Sequence, residues 1–184
     1  ETAKNITHHY HKCPTFKIFS TGESFEFQDL LIHPFSIPHD TADPVAFTIT
    51  YNDIKSGFCT DLGFVTTLVR SQLENCTYLY VESNHQPALV HASTRHIVYK
   101  QRVLGRNGHI SNEECGNLIK DVLSPSLKHV YLAHLSQECN TPDTAIQTVR
   151  SIIGTEDLPI SIAYQDTVSD AVLFSSSFSN SISS

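Results

Sequence analysis

Four short apolar runs in this chain of 184 residues each end on a histidine or a carboxylate. LLIHPFSIP runs into His39-Asp40, SGFCT into Asp61, TYLYV into Glu82 and VYLA into His134. Where strands of one sheet run the same way, residues just past their ends collect at one edge, and the connecting loops build a site there. The pattern therefore points to a sheet whose strand ends bring sequence-distant polar side chains together. For any one of the four, a strand-end polar group or a helix cap is the ordinary alternative. Four endings of the same kind weigh against it.

The elements between these endings alternate. Residues 16–19, a turn at Thr21-Gly22-Glu23, residues 24–27 and residues 30–37 read as a β meander. VAFTITY and SGFCT flank Asn52-Asp53, a hairpin turn whose type is left open because Lys55, not glycine, follows. A helix is expected over residues 65–73, and buried-type strands over 77–81 and 130–133. Ser111 with Glu114 three residues later forms a capping box, and Leu118, Ile119, Val122 and Leu123 then supply an apolar face. Thr141 as N-cap, Pro142 at the first helical position, an Ala145-Ile146-Val149-Ile152-Ile153 stripe and Gly154 beyond it define another helix. Residues 160–164 close with a strand. Early strands followed by alternating strands and helices give an α/β class, a sheet covered by helices.

With 40% hydrophobic and 17% charged residues, the chain can bury one sizeable core, so residues 1–174 read as a single domain and 175–184 as a Ser-rich tail. No run approaches the roughly 18–20 uncharged apolar residues of a membrane helix, and the first residues are polar, so the expectation is a soluble cytoplasmic protein without a membrane partner. The five cysteines, Cys13, Cys59, Cys76, Cys115 and Cys139, are odd in number and include no C-x-x-C pair. That argues against a disulfide framework and a thiolate zinc site, and leaves buried or inert thiols. The triplets Asn5-Ile6-Thr7 and Asn75-Cys76-Thr77 read as chance matches to a glycosylation acceptor.

The net charge of −7 argues against nucleic-acid binding through the overall field. Yet residues 83–112 contain no acid at all, while Arg95, Lys100, Arg102 and Arg106 give that stretch +4. A basic segment on an acidic chain suggests a local anion site. His109 lies in a glycine-containing turn that leads straight into the capped helix, whose free N–H groups and positive dipole end favour a phosphate. Arg106, His109, Ser111 and Asn112 would surround that phosphate, and His109 could give a proton to a leaving group. An ordinary loop and cap is the alternative. Imidazole and carboxylate at 39, 61 and 134 suit one or two divalent ions such as zinc or manganese, and two ions can stabilise both oxygens of a phosphodiester displacement. His8, His9 and His11 lack an acidic partner and read as an exposed polar segment.

His39-Asp40 with Asp43-Pro44, Thr60-Asp61-Leu62-Gly63, Glu82-Ser83-Asn84-His85, Gly108-His109-Ile110-Ser111-Asn112 and Ala133-His134-Leu135-Ser136, in this order, resemble the metallo-β-lactamase-fold hydrolases of the YycJ-like (WalJ) branch. Ribonuclease Z is more distantly similar. The likeness runs over residues 5–174. It implies an αββα sandwich, two divalent metal ions, and phosphodiester hydrolysis with a 5′ exonuclease acting on DNA. His39 would ligate one metal, His134 the other, and Asp61 would bridge them. His109 would serve the substrate phosphate or leaving group, with Ser111, Ser136 and Asn140 as further phosphate contacts and Asp40 and His85 behind the ligands.

The family's His-x-His-x-Asp-His loop is absent, and Gln86 stands where the near branch has an acid. The resemblance thus implies the C-terminal two thirds of the fold, an N-terminally incomplete sandwich with exposed apolar surface and a metal site incomplete in this chain. A missing N-terminal segment, a mis-started reading frame and a divergent non-catalytic remnant are the three accounts of that departure. A small-molecule phosphodiesterase or a scaffold module on the same fold are the competing functions, and a homodimer is compatible with all of them.

Overall fold

The computed structural model describes residues 16–169 and 171–172. Seven strands form one sheet: β1 (Phe25–Phe27), β2 (Leu30–Ser36), β3 (Val45–Tyr51), β4 (Ile54–Cys59), β5 (Tyr78–Glu82), β6 (His129–Ala133) and β7 (Ile160–Ile162). Their spatial order is their sequence order. Pairing is antiparallel from β1 to β4 and parallel from β4 to β7. Two antiparallel steps restore direction, so β2 points the same way as β4, β5, β6 and β7, and all five end at one edge.

Parallel neighbours require crossovers, and helices supply them. These are α1 (Thr67–Leu73) after β4, α2 (Pro87–Ala92), α3 (Ile97–Leu104) and α4 (Asn112–Val122) after β5, and α5 (Pro142–Ile153) after β6. Val69 and Leu73 of α1, Leu118 and Ile119 of α4 and Ala145 and Val149 of α5 join Leu79, Val81, Val130 and Leu132 of the sheet in one buried core. Each large aliphatic side chain so buried contributes about 1.5–3 kcal/mol. The opposite sheet face carries Phe47, Phe58, Tyr80 and Tyr131 in register across four strands, with the Phe58 and Tyr80 ring centroids 5.9 Å apart and Phe58 39% exposed. The described residues thus hold one helical layer and one sheet.

The punctuated helices form as their caps dictate. The Ser111 hydroxyl accepts the Glu114 N–H at 3.2 Å while the Glu114 carboxylate accepts the Ser111 N–H at 2.8 Å, both halves of the capping box. Thr141 accepts the Thr144 N–H, Pro142 opens α5, and Gly154 closes it at φ 71°. Asn52 takes the left-handed φ of 52° that the β3–β4 turn demands.

Two departures stand out. Residues 16–19 form no strand; Phe19 instead stacks on Phe25 with centroids 5.4 Å apart and meets Phe47 edge-on. Helices α2 and α3 carry no readable stripe, because Ile97 and Val98 are exposed and only Val90 and Val103 are buried. Cys59, Cys76, Cys115 and Cys139 are buried and unpaired, and burial pushes the Cys76 thiol up to about 11 and Cys115 to about 12. Cys13, the histidines at 8, 9 and 11, the Asn5 triplet and the tail at 175–184 lie outside the described residues. Among those residues no helix is long and apolar enough to cross a membrane.

Candidate metal centre

The site is assembled where β2, β4, β5 and β6 end. Asp61 follows β4 at φ 57° and His134 follows β6 at φ 54°, both in the left-handed region. A non-glycine residue held there costs about 1–3 kcal/mol and persists only where its surroundings fix it. The loops are fixed to one another. The Gly63 N–H donates to the Pro38 carbonyl at 2.7 Å, tying the exit of β4 to that of β2. A Cβ on Gly63 would lie 2.1 Å from the Arg106 carbonyl oxygen, so only glycine lets the segment before His109 close over this pair of loops.

Glu82, at the end of β5, is 0% exposed and is the hub. Its Oε2 accepts the N–H groups of Leu62 at 2.9 Å and Ile110 at 3.3 Å. Its Oε1 takes Nδ1 of His109 at 2.8 Å and Nδ1 of His134 at 2.6 Å. Burial alone would raise its pKa, but the hydrogen bonds and charges of the two imidazoles outweigh burial and hold the carboxyl below its ordinary value. In return, the Glu82 hydrogen bond raises His134 above the usual histidine range in spite of partial burial.

An ionised carboxylate only accepts, so both rings donate from Nδ1, and Nε2 is the nitrogen left without a proton when the rings are neutral. His39 is arranged alike. Its Nδ1 lies 3.0 Å from the Gly108 carbonyl, which also only accepts, and its Nε2 lies 3.5 Å from Asp61 Oδ1 and 3.4 Å from Asp40 Oδ1. The rings of His39 and His109 are 5.2 Å apart, and those of His109 and His134 5.1 Å. One donor atom each from Asp61, Glu82, His109 and His134 falls within a 4.8 Å span.

Neutral imidazoles whose second nitrogen is held by a carboxylate or carbonyl are what a divalent cation requires of its histidines. Asp61, whose side chain is 48% exposed, adds a hard oxygen, with Oδ1 3.5 Å from His39 Nε2 and 3.6 Å from His134 Nδ1. The donor set therefore fits a divalent metal. Glu82 belongs to the support rather than the ligands, since four hydrogen bonds already occupy its oxygens.

Of the residues expected at the site, His39, Asp61, His109 and His134 come together. Asp40 sits beside them, gripped by Arg102 through Nε at 2.5 Å and Nη2 at 3.0 Å, and that guanidinium lowers its pKa. His85 is 2% exposed, its Nδ1 finds no hydrogen-bond partner among the described residues, and burial pushes its pKa down. Arg106 stacks on Phe64, 3.9 Å from the ring centroid.

Ser111 and Asn112 are buried and engaged within the protein, and Asn140 is 7% exposed where it lines the larger of the clefts beside His134. Ser111 is engaged in the capping box. Asn112 and Asn140 are buried and bond reciprocally through their amides at 2.9 Å; Asn112 also accepts from Ser83 Oγ at 2.7 Å, and Asn140 donates to the carbonyls of Ser83 and Asn84. Ser136 remains at the rim of two clefts flanking His134. The larger, about 710 Å³, runs toward Tyr80 and Tyr164; the smaller, about 300 Å³, lies under α3 and reaches His109. Glu82 is the residue that the sequence left without a role, although a carboxylate closing so apolar a strand was its visible mark.

No protein-family model matches the chain. It is 28% identical over 148 residues to the exodeoxyribonuclease YycJ of Bacillus anthracis, covering 80% of this chain and 56% of that one. It is 29% identical to the exodeoxyribonuclease WalJ of Streptococcus pneumoniae serotype 2, over 80% of this chain and 55% of the relative. The chain thus spans about half the length of the curated relatives it matches. The crystal structure of YhfI, a metallo-β-lactamase-fold protein of Bacillus subtilis, superposes with a TM-score of 0.64 at 16% identity, over 87% of this chain and 58% of that one. The sheet and helices described above are therefore part of a metallo-β-lactamase fold.

Proposed function

We propose that this chain supplies one wall of the active site of a metal-dependent phosphodiester hydrolase, a 5′ exonuclease acting on DNA. The observation that carries the reading is the convergence of three imidazoles on Asp61, each with Nδ1 bonded to an acceptor. The names of the YycJ and WalJ relatives supply the substrate. His39 and His134 would each present Nε2 to a zinc or manganese ion, and Asp61 would lie between two such ions. Two bound ions would supply an activated water and neutralise charge on the phosphate. These ligands are fewer than two ions require, so further donors come from outside the described residues.

His109 is held by Glu82 at Nδ1 and keeps Nε2 for the leaving oxygen. Its task is general acid catalysis, which needs an imidazole fixed within hydrogen-bond reach of that oxygen. A cytoplasmic setting accords with the unpaired thiols of the described cysteines.

Equilibrium dialysis of the chain against zinc and manganese, beside the Asp61→Asn and His134→Ala variants, tests the reading. Uptake of at least one equivalent by the unaltered chain and its loss in both variants is the expected result. Folded chain that takes up neither metal at about micromolar concentration would overturn it.

A further inference from the structure

We propose that Asn84 is the positioning residue for His134, its side-chain amide holding the peptide carbonyl of that histidine so that the ring stays turned to Glu82 in the metal-free protein. The inference rests on the hydrolase reading above and adds to it what keeps one proposed ligand in place. Asn84 is 8% exposed, and its Nδ2 donates to the His134 carbonyl oxygen at 2.7 Å. A carbonyl only accepts, so the nitrogen end of the amide is the end that faces it. The grip is double, because the Ser136 N–H donates to the Asn84 carbonyl at 2.8 Å. One residue thus holds the loop after β6 on both sides of Leu135. Asn84 is itself anchored, with its N–H on the Ile110 carbonyl at 3.1 Å and its carbonyl also accepting the Asn140 amide at 3.0 Å. A side chain whose own backbone is fixed at both polar groups can impose a conformation on its partner.

Of the three imidazoles, His134 has the greatest need of such a hold. Its backbone sits at φ 54°, a conformation that a residue other than glycine keeps only where its surroundings enforce it. Its side chain is 43% exposed, against 8% for His39 and 12% for His109. Clefts flank the ring on both sides, so packing fixes it least. Hydrogen bonds must do so instead, Glu82 on Nδ1 at 2.6 Å and Asn84 on the peptide carbonyl. Glu82 can take Nδ1 only while the left-handed turn delivers it, and without the Asn84 donor that turn is free to relax toward negative φ. His109 supplies the contrast. It shares the same Glu82 oxygen, but its peptide N–H is bonded to the Val103 carbonyl at 3.0 Å. The bond from the Asn84 N–H to Ile110, next to His109, belongs to the backbone and survives a change of side chain at 84. Losing the amide therefore loosens one ring and spares the other.

The test is solvent exchange of the two imidazole Nδ1–H protons, followed by nitrogen-15 NMR on the metal-free full chain, in which both are protected by Glu82. In Asn84→Ala the His134 proton should exchange about tenfold faster, the scale of one hydrogen bond, while the His109 proton keeps its rate. Asn84→Asp keeps the shape of the side chain and, when ionised, loses the donor; it should act in the same direction and decides the matter if the alanine variant does not fold. Equal acceleration of both protons would make Asn84 a merely structural residue and overturn the proposal. So would unchanged rates, an effect confined to His109, a His134 proton already unprotected in the unaltered chain, or failure of both variants to fold. Zinc titration of the same samples should show affinity about tenfold weaker in the variants, and an unchanged affinity beside a loosened ring also overturns the positioning role. Zinc uptake by the unaltered chain with no effect on the ring sinks the proposal and leaves the hydrolase reading. A loosened His134 ring in a chain that takes up no zinc does the reverse.

Discussion

Glu82 Oε1 lies 2.6 Å from Nδ1 of His134 and 2.8 Å from Nδ1 of His109, so a single buried oxygen orients both rings. Replacing Glu82 with Gln keeps the volume, but one of the two oxygens becomes an amide donor. That donor would face either the two imidazole N–H groups or the N–H groups of Leu62 and Ile110. Glu82→Gln should therefore lower stability by about 1–3 kcal/mol and weaken zinc binding by about 10–100-fold, the range for losing a group that orients metal-bound histidines. Chemical denaturation and zinc titration of the variant give both values. Unchanged zinc affinity in a folded variant would show that the rings are set by something else.

The same pair fixes how the metal-free protein responds to pH. His134 is raised above its ordinary 6.5 chiefly by the hydrogen bond to Glu82, so its protonated form stabilises the fold fully below 6.5 and the contribution fades as pH rises through the raised value. Glu82 has the opposite sign. It is held below its ordinary 4.5, so its contribution is present above 4.5 and is lost as pH falls through the lower folded value. Metal-free protein should therefore be most stable between these two limits, while metal affinity climbs as pH rises through the His134 transition, because protons and cation compete for one ring. Thermal melts and zinc titrations across this range are the check. A zinc affinity that is flat with pH would remove His134 from the ligands.

Much of this was readable in the chain. The helices α4 and α5 form where local chemistry names both ends, since Ser111, Glu114, Thr141, Pro142 and Gly154 act on neighbours a few residues away. The strand-end residues were readable because β2, β4, β5 and β6 all point the same way, which turns adjacency along each strand into convergence in space. What was not readable depends on tertiary surroundings. Arg106 reads as an anion contact, and only the fold places Phe64 under it; Asn112 reads as a helix-start phosphate contact, and only the fold encloses it between Ser83 and Asn140. The helices α2 and α3 bury too little to leave a periodic stripe. Glu82 shows its carboxylate in the sequence, but its four hydrogen-bond partners come from three separate loops.

Asn112 tests that distinction directly. With its amide removed, Ser83 Oγ and both polar atoms of Asn140 lose a partner inside the protein. Asn112→Ala should cost about 1–3 kcal/mol for each buried group left unsatisfied and not rescued by water. Because the side chain is 0% exposed, affinity for a phosphorylated strand should not change in variant protein that remains folded. A selective loss of phosphate binding at unchanged stability would return Asn112 to the substrate.

His109 differs from its two companions in what its removal leaves behind. His39 keeps its bond to the Gly108 carbonyl, a backbone group, and Asp61 Oδ1 still lies 3.5 Å from His39 Nε2 and 3.6 Å from His134 Nδ1. His134 retains Glu82 Oε1, which then serves one ring in place of two. In His109→Ala the proposed ligands therefore stay in position, and metal uptake should persist. Turnover by an active assembly should fall by about 10²–10⁴, the usual contribution of a positioned general acid, with the deficit smallest for substrates whose leaving group needs no proton. An activated aryl phosphodiester compared with a DNA strand measures that difference. Loss of metal along with activity would instead make His109 a ligand, and an equal deficit on both substrates would deny it the proton.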